Sequence, residues 1–177
     1  FISALEDGTS WDPLDAAQRS DFPDKWRTMI VKGKELWLFG NETVSVYFND
    51  GGADFPFVPN TNVAIQRGIN APRSLALLQG SPIWLADDLT VRYAQGYTPV
   101  RVSTHAAEYA FAQYATPADA DGSVYNVQGH SFYVLTFPAS GDFLGASWCY
   151  DLASGLWHQV GTYDEDTDTF GQWPANH

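Results

Sequence analysis

The chain has 177 residues, a mass of 19.6 kDa and a formal net charge of -12 at pH 7, the size of one ordinary domain. The acidic balance excludes counterion-driven nucleic-acid binding and disfavours an anionic membrane surface, although an acidic wall can still line a passage for a polyanion. Hydrophobic residues at 45% and aromatics at 15% exclude a disordered chain.

The first residue is Phe, and the opening residues lack the basic and apolar regions of a signal peptide. No run approaches the ~18 apolar residues of a membrane span. We read the chain as a piece of a longer protein. Gly8-Thr9-Ser10-Trp11-Asp12 has the pattern of Gly155-Leu156-Trp157-His158 near the other end. Both read as the closing strand of a repeated unit.

Three segments between them are self-similar. Ile30-Val31-Lys32-Gly33 leads into Glu35-Leu36-Trp37-Leu38-Phe39, and Leu77-Leu78-Gln79-Gly80 into Pro82-Ile83-Trp84-Leu85-Ala86. Asn126-Val127-Gln128-Gly129 leads into Ser131-Phe132-Tyr133-Val134-Leu135. The glycines recur within the ~40–50-residue period of propeller blades. In each unit a strand apolar at nearly every position follows, as for a strand buried on both faces. A turn comes next, at Gly40-Asn41, Asp87-Asp88 and around Ser140-Gly141. In the third strand Val44, Val46 and Phe48 alternate with Thr43, Ser45 and Tyr47; Val91 with Tyr93, and Trp148 with Tyr150, repeat the idea. Fourth strands are expected at 55–58, 97–102 and 156–160. The alignment places Trp37, Trp84 and Tyr133 at one repeat position, as packing residues.

Between the second and third units, 104–114 reads as a helix capped by Thr104. Ala107, Ala110, Phe111 and Tyr114 form its apolar stripe, and Thr116-Pro117 ends it. It reads as a cover over the flank, with a partner-binding helix as the alternative. The stretch Asp164-Glu165-Asp166-Thr167-Asp168-Thr169 reads as a solvated loop or linker.

The expected fold is therefore all-β: a β-propeller-like fragment of about three four-stranded antiparallel blades, with one short helix between blades 2 and 3. Residues 1–20 form the last strand of a preceding blade and a linker. Blade 1 covers 21–66 and blade 2 covers 67–104. The inter-blade helix and loop take 105–120, blade 3 covers 121–162, and 163–177 is an acidic tail or linker. Three blades fall short of the usual ~4–8 of a closed ring.

Candidate chemistry is sparse. Asp164, Asp166 and Asp168 alternate as in a calcium loop, but Thr169 and Ala175 stand where that loop needs Gly and Glu. Glu6-Asp7-Gly8-Thr9-Ser10-Trp11 comes near the Asp-box of sialidase-type propellers, with Glu6 for its Asp and Ala4 for its Ser; that motif is structural. Tyr150-Asp151 followed by Trp157 resembles half a kelch repeat, and Trp157 is expected to fill the space between blades. Asp50 with Asp54, or Asp87 with Asp88, could serve a glycoside-hydrolysing propeller, yet turns favour Asp for backbone reasons. His105, His130, His158 and His177 show no metal-ligand spacing, and His130 reads as an exposed turn residue. Cys149, the single cysteine, excludes an internal disulfide and a multi-cysteine zinc site; its place in a strand points to a buried, inert thiol. We assign no catalytic, cofactor-binding or metal residues and expect no cofactor.

Several segments, in this order, carry a family resemblance: Gly8-Thr9-Ser10-Trp11-Asp12, Glu35-Leu36-Trp37-Leu38-Phe39-Gly40, Ala53-Asp54-Phe55-Pro56-Phe57, Ser103-Thr104-His105-Ala106 with Glu108-Tyr109-Ala110, Gly129-His130-Ser131-Phe132-Tyr133-Val134-Leu135-Thr136-Phe137-Pro138, Tyr150-Asp151 and Gly155-Leu156-Trp157-His158. Together they resemble the packaged-DNA stabilisation proteins of short-tailed bacteriophages and prophages, also called tail accessory, head-completion or nozzle proteins. The resemblance implies a non-enzymatic virion protein of the tail, made in the bacterial host cytoplasm. It implies a ring below the portal, usually six-fold, that extends the exit channel and helps retain the genome. The implied partners are other tail and portal-associated proteins and further copies of itself, with DNA only as passing cargo and no membrane. The alternative is a carbohydrate-binding or glycoside-hydrolysing β-propeller.

Overall fold

The computed structural model describes residues 3–4, 7–13, 24–51 and 56–174. Strands β1 (Ser3–Ala4) and β2 (Asp7–Trp11) pair as a small hairpin. Three antiparallel four-stranded meanders follow: β3 (Trp26–Lys32), β4 (Glu35–Gly40), β5 (Val44–Asn49) and β6 (Phe57–Pro59); then β7 (Ala76–Leu78), β8 (Ser81–Leu85), β9 (Val91–Gln95) and β10 (Thr98–Arg101). The helix α1 (His105–Gln113) precedes the third sheet, β11 (Asp121–Val127), β12 (His130–Phe137), β13 (Ala146–Asp151) and β14 (Leu156–Val160). A hairpin of β15 (Thr162–Asp164) and β16 (Thr169–Gly171) ends the described chain. Among the described residues no helix is long and apolar enough to cross a membrane. The fold is all-β and propeller-like, with three blades and one helix.

The sheets meet near their first strands: β7 lies against β11 and β12, and β3 against β8. Between the first two sheets Trp37, Phe39, Val44 and Val46 pack on Trp84, Ala86 and Ala94, with Ile65 and Ile69 of the connecting segment. Phe39 and Trp84 meet edge to face, with centroids 5.1 Å apart and planes at 72°, the arrangement that ring quadrupoles favour. Between the second and third sheets Ile83, Leu85 and Val91 face Tyr133, Leu135, Phe137 and Tyr150.

The helix packs on the flank with its apolar stripe turned into the core. Thr104 caps it, its hydroxyl accepting the Ala107 amide at 3.3 Å, and Ala107 and Phe111 are fully buried in the second core. The Phe111 ring lies 5.0 Å from Phe137, 5.7 Å from Trp148 and 6.1 Å from Trp157. α1 thus covers the flank where blades 2 and 3 meet and inserts the Phe111 ring into their aromatic core.

The alignment on shared glycines is one residue out of step in the first unit. In the first hairpin Lys32 pairs with Glu35, so Gly33 is the first of the two turn residues, and Gly33 has φ 62° while Lys34 is not left-handed. In the other two hairpins Gly80 and Gly129 come second, and both turn residues are left-handed: Gln79 at 47° with Gly80 at 74°, and Gln128 at 50° with Gly129 at 84°. A II′-like turn needs glycine first, whereas an I′ turn takes it second. Hairpin register therefore equates Leu38, not Trp37, with Trp84 and Tyr133. A one-residue slip moves a side chain to the other face of a sheet. Trp37 accordingly faces the next blade, while Trp84 and Tyr133 face the preceding one.

Three smaller details follow. Val44, Ser45, Val46 and Tyr47 are all buried, so the alternation in β5 marks two covered faces. Among the described residues the first sheet's closing strand is Phe57–Pro59, with Pro56 just before it; Phe55 of the expected 55–58 lies outside the described residues. The acidic stretch, expected as a solvated loop or linker, is the exposed turn of the β15–β16 hairpin. Gly171–Trp173 then returns to blade 3, where the Trp173 amide donates to Ser147 Oγ at 3.1 Å.

Candidate functional site

The most organised part of the molecule is the pair of inter-blade seams. Aromatic donors, fully buried at Trp84 and Tyr133 and half-buried at Trp148 and Trp157, fasten the second and third blades to the connecting chain. Trp84 Nε1 donates to the Gly68 carbonyl at 3.0 Å, and the Tyr133 hydroxyl to the Ser74 carbonyl at 2.7 Å. Trp157 Nε1 donates to the Val102 carbonyl at 2.8 Å, and Trp148 Nε1 to the Tyr114 hydroxyl at 3.0 Å. Buried polar groups need such partners, because leaving one unpaired costs ~1–3 kcal/mol. Burial drives the Tyr133 phenol far above its ordinary range, against the opposing bond to Ser74. A Cβ on Gly68 would lie 2.1 Å from the Asn41 carbonyl oxygen, and one on Gly122 would lie 2.3 Å from that of Ser74. Glycine is required at both places by close backbone approach.

Charged groups reinforce the same seams. Glu35 accepts from Trp37 Nε1 at 3.0 Å and from the Tyr97 hydroxyl of blade 2. Glu108 of α1 holds Arg101 of β10. Burial pushes the Glu108 carboxyl up, but Arg101 and the Ser103 hydroxyl outweigh it and the net shift is downward.

The sequence candidates for chemistry scatter. Asp87 and Asp88 share the β8–β9 turn with Arg67, at 3.7 and 3.6 Å, and Arg92 lies 3.2 Å from Asp88. Burial, then the charge of Asp88, raises the Asp87 carboxyl. Burial raises Asp88 too, but hydrogen bonds from Thr90 and Arg92 pull it below its ordinary value. The Asp50 amide donates to Pro56 O at 2.9 Å, while Asp54 lies outside the described residues. A cleft of about 490 Å³ lined by Val31, Gly33, Lys34, Glu35, Leu36, Asn49 and Phe57 holds neither Asp87 nor Asp88.

Asp164 Oδ1 accepts the Asp166 amide at 2.9 Å, and Asp168 accepts the Tyr163 hydroxyl at 2.6 Å; Ala175 lies outside the described residues. Among the described residues no three His, Cys, Asp or Glu side chains are grouped to hold a metal. Asp7 accepts the Thr9 amide at 2.9 Å and its hydroxyl at 2.6 Å, while Glu6 is outside the described residues.

His105 is an exposed helix-start residue near Arg101. His158 pairs across from Cys149 on β14, and His177 is outside the described residues. His130 is more than an exposed turn residue, since its Nδ1 lies 2.9 Å from Asp151 Oδ2. Asp151 also accepts from Ser154 Oγ at 2.8 Å and the Ala153 amide at 3.0 Å, closing the β13–β14 turn. Cys149 is buried, which raises its thiol. Its neighbour Tyr125, 3.7 Å away, is pushed up to about 12, chiefly by burial. Trp157 fills the space between blades 2 and 3, as its kelch-like position suggests.

Sequence reasoning missed the Glu35, Glu108 and Asp151 contacts. The Arg101–Glu108 pair spans a strand end and a helix start, and only the docked helix brings the two together.

A family model described as bacteriophage P22 Gp10, beta-propeller, matches residues 1–175. The chain belongs to this phage stabilisation family. It is a phage structural protein that associates with other virion components, and its family is not a known enzyme family. No curated protein matches the chain.

Proposed function

We propose that this member of the phage stabilisation family forms part of a ring below the portal, extends the DNA exit channel there and helps retain packaged DNA. The ring self-associates, six-fold in the parent protein, and contacts tail and portal-associated proteins, with DNA as passing cargo. On this reading 21–66, 67–104 and 121–162 are blades, 105–120 is the inter-blade helix and loop, 1–20 is the last strand of a preceding blade and a linker, and 163–177 is an acidic tail or linker that carries the β15–β16 hairpin. The match over residues 1–175 carries the reading. A net charge of -12 supports it, because an acidic wall repels DNA and lets it slide without adhering. The aromatic seams support it too, since a channel wall under load needs blades that do not shear.

The test is a phage lacking the gene for this chain, complemented in trans. Filled heads lacking the product should lose nuclease-protected DNA, and complementation should restore both protection and six-fold density below the portal. Equal DNA retention with and without the product, or density elsewhere in the particle, refutes the reading.

A further inference from the structure

On blade 1 the first strand, β3, keeps an open edge. Among the described residues it pairs with β4 alone. Lys32 and Glu35 flank the two-residue Gly33-Lys34 turn, so they exchange both backbone bonds, and Ile30 with Trp37 is the next bonded pair. The amides and carbonyls of Met29 and Val31 therefore point to the edge. Their side chains are 64% and 61% exposed. Further into the sheet the same face is closed, because Leu38, Ser45 and Tyr47 are buried. What lies open is the strand itself.

Charge singles out the same strand. The chain carries 21 Asp and Glu against 9 Lys and Arg. Arg67, Arg73, Arg92 and Arg101 all pair with carboxylates. Among the described residues no carboxylate pairs with Lys25, Arg27, Lys32 or Lys34. Arg27 donates to the neutral Asn41 Oδ1 at 3.3 Å, and Lys32 Nζ lies 5.2 Å from the centre of the Trp37 ring. Cations left without carboxylates at both ends of one strand, in an acidic chain, suit a negative partner. Lysines that only guard an edge stand beside its free groups. Here apolar Met29 and Val31 hold the free groups, and the cations stand before and after them.

We propose that β3 takes on an extended acidic segment of another protein as a fifth strand of blade 1. Carboxylates on either side of an apolar stretch meet Lys25 and Arg27 at one end and Lys32 and Lys34 at the other. The amides and carbonyls of the segment bond to Met29 and Val31, as in other strand additions. A nucleic acid fits this edge less well. Its phosphates accept from an amide but donate nothing to the outward carbonyls, and a net charge of -12 repels a long polyanion. The contact goes beyond the ring below the portal and does not rest on it.

Fluorescence anisotropy on the 177-residue chain tests it, with a labelled peptide as long as β3 that alternates valine and threonine between glutamate ends. The peptide should bind and lose affinity as salt rises. A version with lysine ends should bind about tenfold more weakly or worse. N-methylation of alternate peptide amides should abolish binding in one register, where the amides face β3, and spare it in the other. The combined change Lys25→Glu and Lys34→Glu should weaken binding about tenfold or more. Both side chains are exposed, so the circular-dichroism melt should not move. Hydrogen exchange should find the Met29 and Val31 amides fast in the free chain and protected in the complex. Failure of the acidic peptide to bind at low salt overturns the proposal, as does equal binding of the two peptide charges. So does indifference to both methylation patterns, or a preference for oligothymidylate over the acidic peptide.

Discussion

Removing one oxygen at Tyr133 probes the seam between blades 2 and 3 with almost no change in volume. The Tyr133 hydroxyl, on a side chain with 0% exposure, donates to the Ser74 carbonyl at 2.7 Å. Tyr133→Phe keeps the ring in the second core and takes away that donor, a loss of ~1–3 kcal/mol for a buried acceptor. For a chain of this length that is a fall of ~2–4 °C in melting temperature per kcal/mol. Urea titrations read by tryptophan fluorescence and by far-ultraviolet circular dichroism measure it directly. Tyr163→Phe is the control, because that hydroxyl bonds only at an exposed hairpin turn and its loss should stay within ~0.5 kcal/mol. The alkaline limb adds a second readout. The folded phenol sits far above its unfolded value, so its contribution is complete below the unfolded pKa and is lost as pH rises through the folded one. The wild-type chain should therefore lose stability above about pH 10 more steeply than Tyr133→Phe. A variant as stable as wild type with an unchanged alkaline limb would show that the bond across the seam contributes nothing.

Four other outcomes are expected. Trp37→Ala empties a fully buried ring site and should cost ~3–5 kcal/mol in urea unfolding. Gly68→Ala should be more disruptive than its size suggests, since the added Cβ meets the Asn41 carbonyl; a melting temperature within 1 °C of wild type, about experimental scatter, counts against that close approach. Asp88, Glu108 and Asp151 are all held below their ordinary values, so their contribution is present above the unfolded carboxylate pKa and disappears as pH falls through the lower folded values. Asp87, held high by burial, acts in the opposite sense: it offsets part of the acid loss, and Asp87→Asn should steepen the acid limb measured by thermal melts. On the structural reading, alanine at Asp87 or Asp88 should leave particle assembly, scored by infectivity, intact.

The blade count, the helix and the family were legible in the chain itself. Recurring Gly-bearing hairpins set off continuous apolar runs, and Thr104, Ala107, Phe111 and Pro117 bound one amphipathic turn pattern; these are local features, readable without knowing what lies nearby. The faces of the strands were not readable in that way. Whether Trp37 looks forward or backward depends on a turn type that differs between Gly33-Lys34 and Gln79-Gly80. A shift of one residue reverses every side chain of a strand. Burial on both sides of β5, the seating of Phe111 in the core between blades 2 and 3, and the pairings of His130 with Asp151 and of Arg101 with Glu108 all depend on which element arrives alongside. Composition and periodicity determined that this protein would stack antiparallel blades with aromatic interiors. Only the packing of one blade on the next decided which aromatic residues hold the seams, because a face is defined by its neighbour and not by its own strand.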